Sequence, residues 1–245
     1  RSAVSETFRG LRTSLQFTFK KHGKEQTNRC ILVTSSVSGE GKTFTAINLA
    51  SVFSLSDKKT LILGLDLRKP KIFDDFDLNN EVGAVDFLAG DDSISDIIQK
   101  TSYKNLDVIT SGTIPPNPSE ILMGEKMDQM IAELKERYDY IVMDTPPIGL
   151  VSDALNLMKF ADASLYMIRQ DYTKKGMLGI INEKYEKGEV ENISFVLNYF
   201  RQKAKYGYGY GYGYGYGYGY GKYGQAYVEQ DKKSNFLRKI FKSKL

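Results

Sequence analysis

Ser35-Ser36-Val37-Ser38-Gly39-Glu40-Gly41-Lys42-Thr43 is the stretch on which the fold turns, because its spacing is that of a loop built to cradle phosphate. Backbone N–H groups of such a loop point inward at the α- and β-phosphates, and Gly39 and Gly41 let the backbone come that close. Lys42 is placed to reach the β/γ-phosphate oxygens and the Thr43 hydroxyl to ligate Mg²⁺. A helix starting here also aims its dipole at the anion. The pattern departs from the usual one at a single place, where Ser36 stands for the opening glycine.

Context decides whether so short a pattern means anything. Upstream, Cys30 to Ser35 reads as a buried strand, and downstream, Thr43 to Ser56 reads as a helix. Further strands are expected at Thr60 to Asp66, Leu106 to Thr110, Tyr140 to Asp144, Ser164 to Ile168 and Ile193 to Asn198. Helical patterns lie between them, notably Ser119 to Tyr138 and Thr173 to Lys187. Apolar strands alternating with helices predict an α/β fold of the P-loop NTPase type, a parallel sheet with helices on both faces. Ligands of such sheets bind at the carboxyl ends of the strands, where Asp66 and Asp144 both fall.

Composition narrows the chemistry. The 245 residues suit one globular domain with appendages, and the net charge of +4 comes largely from the last fifteen residues, so nothing argues for nucleic acid as a partner. Cys30 is the sole cysteine and His22 the sole histidine, which removes disulfide frameworks, thiolate metal sites and histidine-based triads. A reducing compartment is expected. No apolar run approaches the length of a membrane span. A chain that opens on Arg1 is expected to be a piece of a longer one.

Two acids are candidates to hold Mg²⁺. Tyr140-Ile141-Val142-Met143-Asp144 is an apolar strand ending in aspartate, and Asp66 follows four apolar residues in Leu65-Asp66-Leu67-Arg68-Lys69-Pro70. A carboxylate there is costly unless a cation meets it. Either aspartate could instead be a helix cap or a strand-end turn residue.

Two segments stand outside the core. Residues 2–18 read as an amphipathic helix with Phe8, Leu11 and Leu15 on one face. Residues 206–227 carry ten tyrosines, Tyr206, Tyr208, Tyr210, Tyr212, Tyr214, Tyr216, Tyr218, Tyr220, Tyr223 and Tyr227, mostly alternating with glycine. Glycine at every second place opposes packed structure, so a disordered tail is expected. Such a tail can act as an aromatic ribbon, as a tether offering many equivalent phenols, or as an adhesive spacer. The run Phe236 to Lys242 is mildly amphipathic and basic, and fits either an acidic membrane surface or a solvated terminus. Three parts follow: residues 1–27, a core at 28–204 and a tail at 205–245.

Taken together these residues resemble the bacterial tyrosine kinases of capsule and exopolysaccharide assembly, over nearly the whole chain. The resemblance rests on the loop at 36–43, on Asp66-Leu67-Arg68-Lys69-Pro70, on the strand ending at Asp144, on Ile114 to Glu120, on Glu6-x-x-Arg9-x-x-Arg12, and on the tyrosine-rich tail. It implies an ATP- and Mg²⁺-dependent protein-tyrosine kinase in which Lys42, Asp66 and Asp144 are catalytic, and Thr43, Asp66 and Asp144 hold the metal. Nucleotide contacts are implied at Ser38, Gly39, Glu40, Gly41, Lys42, Thr43, Phe44, Arg68 and Asn198, the last in the place of the adenine-reading asparagine. No Asn-Lys-x-Asp guanine-reading pattern is present, which favours ATP over GTP. The resemblance also implies tail tyrosines phosphorylated on neighbouring subunits of a ring, with Glu6, Arg9 and Arg12 making subunit contacts. A transmembrane polysaccharide chain-length regulator, fused or separate, is the implied partner, and the cytoplasmic face of the bacterial inner membrane the implied location.

The family usually carries an acid two residues before Asp66, where this chain has Gly64. Asp66 is then expected to serve both the metal and the phenol proton, unless a loose transition state needs no strong base. The alternatives are a partitioning-type ATPase, disfavoured because that group's extra lysine is missing among Ser35, Ser36, Val37 and Ser38, and a nucleotide-gated scaffold with little kinase activity.

Overall fold

The computed structural model describes residues 3–21, 28–149 and 151–201. His22, the tyrosine-rich tail and the basic run from Phe236 lie outside the described residues.

Among the described residues seven strands form one sheet: β1 (Arg29–Ser35), β2 (Thr60–Gly64), β3 (Gln99–Lys100), β4 (Leu106–Ile109), β5 (Tyr140–Asp144), β6 (Ala163–Arg169) and β7 (Ile193–Asn198), in the order β3-β4-β2-β5-β1-β6-β7. All neighbours pair in parallel except β3 with β4. The short antiparallel edge at Gln99–Lys100 is a departure from a wholly parallel expectation; two residues are too few for a periodicity to reveal. The central strands β1, β2 and β5 are buried along their whole length, which is why they read as unbroken apolar runs.

Side-chain alternation then splits the core. Cys30, Leu32, Leu61, Leu63, Ile141 and Met143 face one way, and Ile31, Val33, Ile62 and Val142 the other. Over the second face lies α2 (Lys42–Ser54), and α1 (Ala3–Lys21) covers α2 through Phe8, Leu15 and Phe19. Each of these three buried side chains contributes about 1.5–3 kcal/mol. On the way down α2, Phe53 stacks on Tyr140 at 3.8 Å between ring centroids.

The intervening helices are α3 (Ile72–Phe76), α4 (Ala84–Ala89), α5 (Ile94–Ile97), α6 (Pro118–Met123), α7 (Glu125–Arg137), α8 (Asp153–Leu157) and α9 (Leu178–Glu186). The helix expected over Ser119 to Tyr138 is two, because Gly124 is extended (φ −70°, ψ 158°) and starts α7 afresh. The helix expected from Thr173 begins as a 3₁₀ turn, Lys175–Met177, before α9. Strand β2 stops at Gly64, two residues short of expectation, which leaves Asp66 in the following turn.

Candidate nucleotide site

Strand β1 delivers the glycine loop to the carboxyl edge of the sheet. There the segment after β5 buttresses its start: Thr34 Oγ1 donates to the Pro146 carbonyl at 2.9 Å, and the Ile148 amide donates to the Ser35 carbonyl at 2.8 Å. Ser36, the residue in place of the usual glycine, shares a hydrogen bond of 2.9 Å with the buried Tyr166 hydroxyl on β6. The extra hydroxyl is therefore matched rather than stranded.

Three consecutive loop carbonyls are held by side chains at the ends of β6 and β7. The Tyr172 hydroxyl donates to Ser38 O at 3.1 Å, Arg169 Nη1 to Gly39 O at 2.8 Å, and Asn198 Nδ2 to Glu40 O at 3.0 Å. In a trans peptide the N–H points opposite to the C=O, so fixing these carbonyls outward turns the amides of residues 39, 40 and 41 to the other side. Gly39 (φ 84°) and Gly41 (φ 93°) adopt the left-handed conformation this requires. At Gly41 a Cβ would collide with the Asn198 amide. The result is a concavity of N–H groups at the start of α2, the form that binds phosphate.

The Glu40 side chain is fully buried and faces the loop's own frame, accepting from the Val37 amide at 2.9 Å and from the Thr173 hydroxyl. The Arg169 guanidinium itself lies over the rings of Tyr172 and Tyr199, 4.7 and 4.1 Å from their centroids. Arg169, Tyr172, Thr173 and Tyr166 escape sequence reasoning, although for the first three a position just past the carboxyl end of an expected strand is a usable signal.

At the centre, Lys42 is buried and its ammonium is pushed below the ordinary lysine range by desolvation, with Asp144, Asp66 and Glu40 pulling the other way. Thr43 Oγ1 donates to Asp144 Oδ2 at 2.7 Å. Asp144 is 3% exposed, and its Oδ1 is buried without a partner. Burial raises the Asp144 carboxyl to about 7, against the lowering effect of Thr43 and Lys42. A buried carboxylate with an orphaned oxygen beside a threonine hydroxyl fits a divalent cation. Among the described residues no three acidic, histidine or cysteine side chains converge to hold a metal unaided. That is the usual arrangement for Mg²⁺, which takes one or two protein ligands and fills the rest with water and phosphate.

Asp66 is built differently. Half-buried in the turn after β2, its Oδ1 accepts from the amides of Arg68 and Lys69 at 3.3 and 3.0 Å. Arg68, expected at the nucleotide, pairs with the buried Asp153 (Nε–Oδ2 2.9 Å) and donates to Ser119 Oγ (2.8 Å), tying the turn to α6 and α8. Phe44 stands at the first turn of α2 with its ring 5.9 Å from Phe8, edge to face. On α1, Arg9 pairs with Glu6, and Arg12 Nη1 donates to the Val52 carbonyl at 2.8 Å while its Nε is buried without a hydrogen bond.

A phosphate loop between a buried strand and helix, facing an aspartate at the end of the adjacent strand, defines a P-loop nucleotide-binding protein, and the AAA domain family matches residues 28–193. The chain is 39% identical over 175 residues to the tyrosine-protein kinase YwqD of Bacillus subtilis, covering 71% of this chain and 72% of that one. It is 36% identical over 203 residues to the tyrosine-protein kinase etk of Escherichia coli, covering 83% of this chain but spanning only 27% of that longer protein. The solved kinase domain of the Escherichia coli tyrosine kinase ETK superposes with a TM-score of 0.76 at 35% identity, covering 86% of this chain and 81% of that one. The chain belongs to the bacterial tyrosine-protein kinase family.

Proposed function

We propose that the chain is the ATP- and Mg²⁺-dependent kinase unit, residues 28–204, of a capsule or exopolysaccharide assembly system, and that it transfers the γ-phosphoryl group to tyrosines of its own tail, Tyr206 to Tyr227, on neighbouring subunits. The observation that carries this reading is the pair formed by the amide cradle and the orphaned Asp144 oxygen, one suited to phosphate and the other to its cation. Lys42 grips the β/γ-phosphates, while Thr43 and Asp144 hold Mg²⁺, which neutralises charge on the phosphoryl group when bound. In the transfer the bond from Pγ to the bridging oxygen of ADP breaks, a bond from Pγ to the phenolic oxygen forms, and the phenol proton passes to Asp66. One oxygen of Asp66 is occupied by the turn amides, which leaves the other for this role. Ser38, Phe44, Arg68 and Asn198 frame the nucleotide.

Regulation follows from the same acceptor. Each phosphotyrosine adds about −1.5 to −2 charges, so heavily modified tails repel one another and separate subunits joined through Glu6, Arg9 and Arg12. The transmembrane chain-length regulator, at the cytoplasmic face of the inner membrane, is the partner through which this cycle governs polysaccharide polymerisation and export.

The deciding experiment incubates the chain with ATP and Mg²⁺ beside Lys42→Met and a form truncated after Lys205, and reads tail phosphotyrosine by mass spectrometry. Phosphotyrosine in the first and none in the second supports the kinase. Phosphate release without phosphotyrosine would identify an ATPase, and neither product a scaffold.

A further inference from the structure

Gly64 occupies the place where the resemblance to the family implies an acid, and the structure gives a physical reason for its smallness. It is the register partner of Asp144 across β2 and β5, so a side chain there would point to the same face as the Asp144 carboxylate. A Cβ at Gly64 would lie 3.3 Å from the Ile109 carbonyl, 3.4 Å from Ile72 Cδ1 and 3.4 Å from the Ser111 amide. Helix α3 therefore begins directly over Gly64 through Ile72. Asp75 comes three residues after Ile72, on the same side of that helical turn.

The other acids near Asp144 are already engaged. Asp153 is held by Arg68 and Ser119, Glu40 by Val37 and Thr173, and one oxygen of Asp66 by two turn amides. Asp75 makes no hydrogen bond or ion pair among the described residues. Its charge nevertheless reaches Asp144, where it acts with Asp66 to push that carboxyl upward. Asp75 is open to solvent on α3, yet desolvated enough, with Asp74 beside it, to be held above the ordinary carboxylate range. Independently, the buried Asp144 Oδ1 lacks any partner, which calls for a cation.

We propose that Asp75 supplies, from helix α3, the carboxylate missing at Gly64, and accepts hydrogen bonds from the water ligands of the nucleotide-bound divalent cation held by Thr43 and Asp144. The inference rests on the reading of the site as one for a metal-bound nucleotide. An outer-sphere role suits Mg²⁺, which dehydrates reluctantly and keeps several waters. It also agrees with the absence, among the described residues, of three acids close enough to share a bare ion. Outer-shell partners of a metal tune affinity strongly, by about 10- to 100-fold.

The test uses the full chain with ADP, which prevents turnover, and Mn²⁺ as the probe, with free Mn²⁺ followed by electron paramagnetic resonance. Asp75→Asn is expected to raise the Mn²⁺ dissociation constant about tenfold. Asp74→Asn, the same charge change one residue away on the same helix, is expected to move it less than about twofold, and Asp75→Glu less than about threefold. Asp75→Asn removes like-charge repulsion from α3, so its melting temperature should not fall. Unchanged Mn²⁺ affinity in Asp75→Asn, or an equal loss in Asp74→Asn, overturns the inference. A chain that binds neither ADP nor Mn²⁺ breaks the reading of the site itself.

Discussion

The aspartates that close β5 and follow β2 look alike in sequence and are opposites in structure. Asp144 is buried on the strand, raised to about 7 by desolvation, and has one oxygen with no partner. Asp66 is half-buried beyond its strand's end, and its own turn already satisfies one oxygen with two amides. The first is unfavourable until a cation arrives; the second is content in its absence. The comparison teaches that an acid at a strand end can be a held-open vacancy or a piece of turn geometry, and that burial and hydrogen bonding tell the two apart.

The largest expected effect tests the strained member of the pair. Asp144→Asn should lower phosphotransfer by about 10²–10³, the size seen when one preorganised electrostatic group is lost, while making the nucleotide-free chain more stable by a few kcal/mol at pH 8, roughly the cost of holding that charge buried. The pH dependence carries the sign. Folded Asp144 titrates at about 7 and an unfolded aspartate at about 3.9, so the folded state binds the extra proton between these values. Nucleotide-free stability therefore falls as pH rises through that window and levels off above about 7. Divalent-cation affinity runs the other way and weakens below about 7, because the cation needs the carboxylate. Thermal melts and Mn²⁺ titrations from pH 5 to pH 8, on the chain and on Asp144→Asn, check both slopes; a flat profile in the unaltered chain would erase the contrast.

A smaller effect is expected at Asp66. Asparagine keeps an oxygen that can accept from the Arg68 and Lys69 amides, so Asp66→Asn should leave the melting temperature nearly unchanged while slowing tail phosphorylation by about 10²-fold, the lower end of what a positioned proton acceptor contributes. Asp66→Ala adds the loss of the turn, about 1 kcal/mol. Near-normal phosphorylation by Asp66→Asn at saturating Mg²⁺ would end its role as proton acceptor. The smallest effect on activity belongs to Tyr166, whose contact is with the opening of the loop. Tyr166→Phe strands the buried Ser36 hydroxyl and should cost about 1–2 kcal/mol in urea melts with little change in nucleotide affinity, and pairing it with Ser36→Gly should restore most of the loss.

The sheet was legible because β1, β2 and β5 are buried on both faces and announce themselves as apolar runs, and the loop at 36–43 was legible because its glycines sit where φ must be positive. Gly124 was the hidden break in the expected helix, since a glycine between two amphipathic stretches reads as tolerated. The clamp made by Arg169, Tyr172 and Asn198 joins residues far apart in the chain to three carbonyls, and backbone acceptors leave no trace in side-chain identity. The pairing of Arg68 is hidden for a related reason: its motif marks the segment, while Asp153, its partner, lies far along the chain on α8.

The loop's latitude for change is set by strands it does not belong to. At position 36 a hydroxyl is admissible because Tyr166 reaches it from β6, whereas at Gly41 the Asn198 amide from β7 already fills the space any side chain would take. A serine at the loop's opening and a tyrosine on β6 should therefore be inherited together, and a family member with glycine at the first place is free to carry phenylalanine at the second. In that sense the phosphate loop is a shared possession of β1, β6 and β7, and its evolutionary history is to be read across all three.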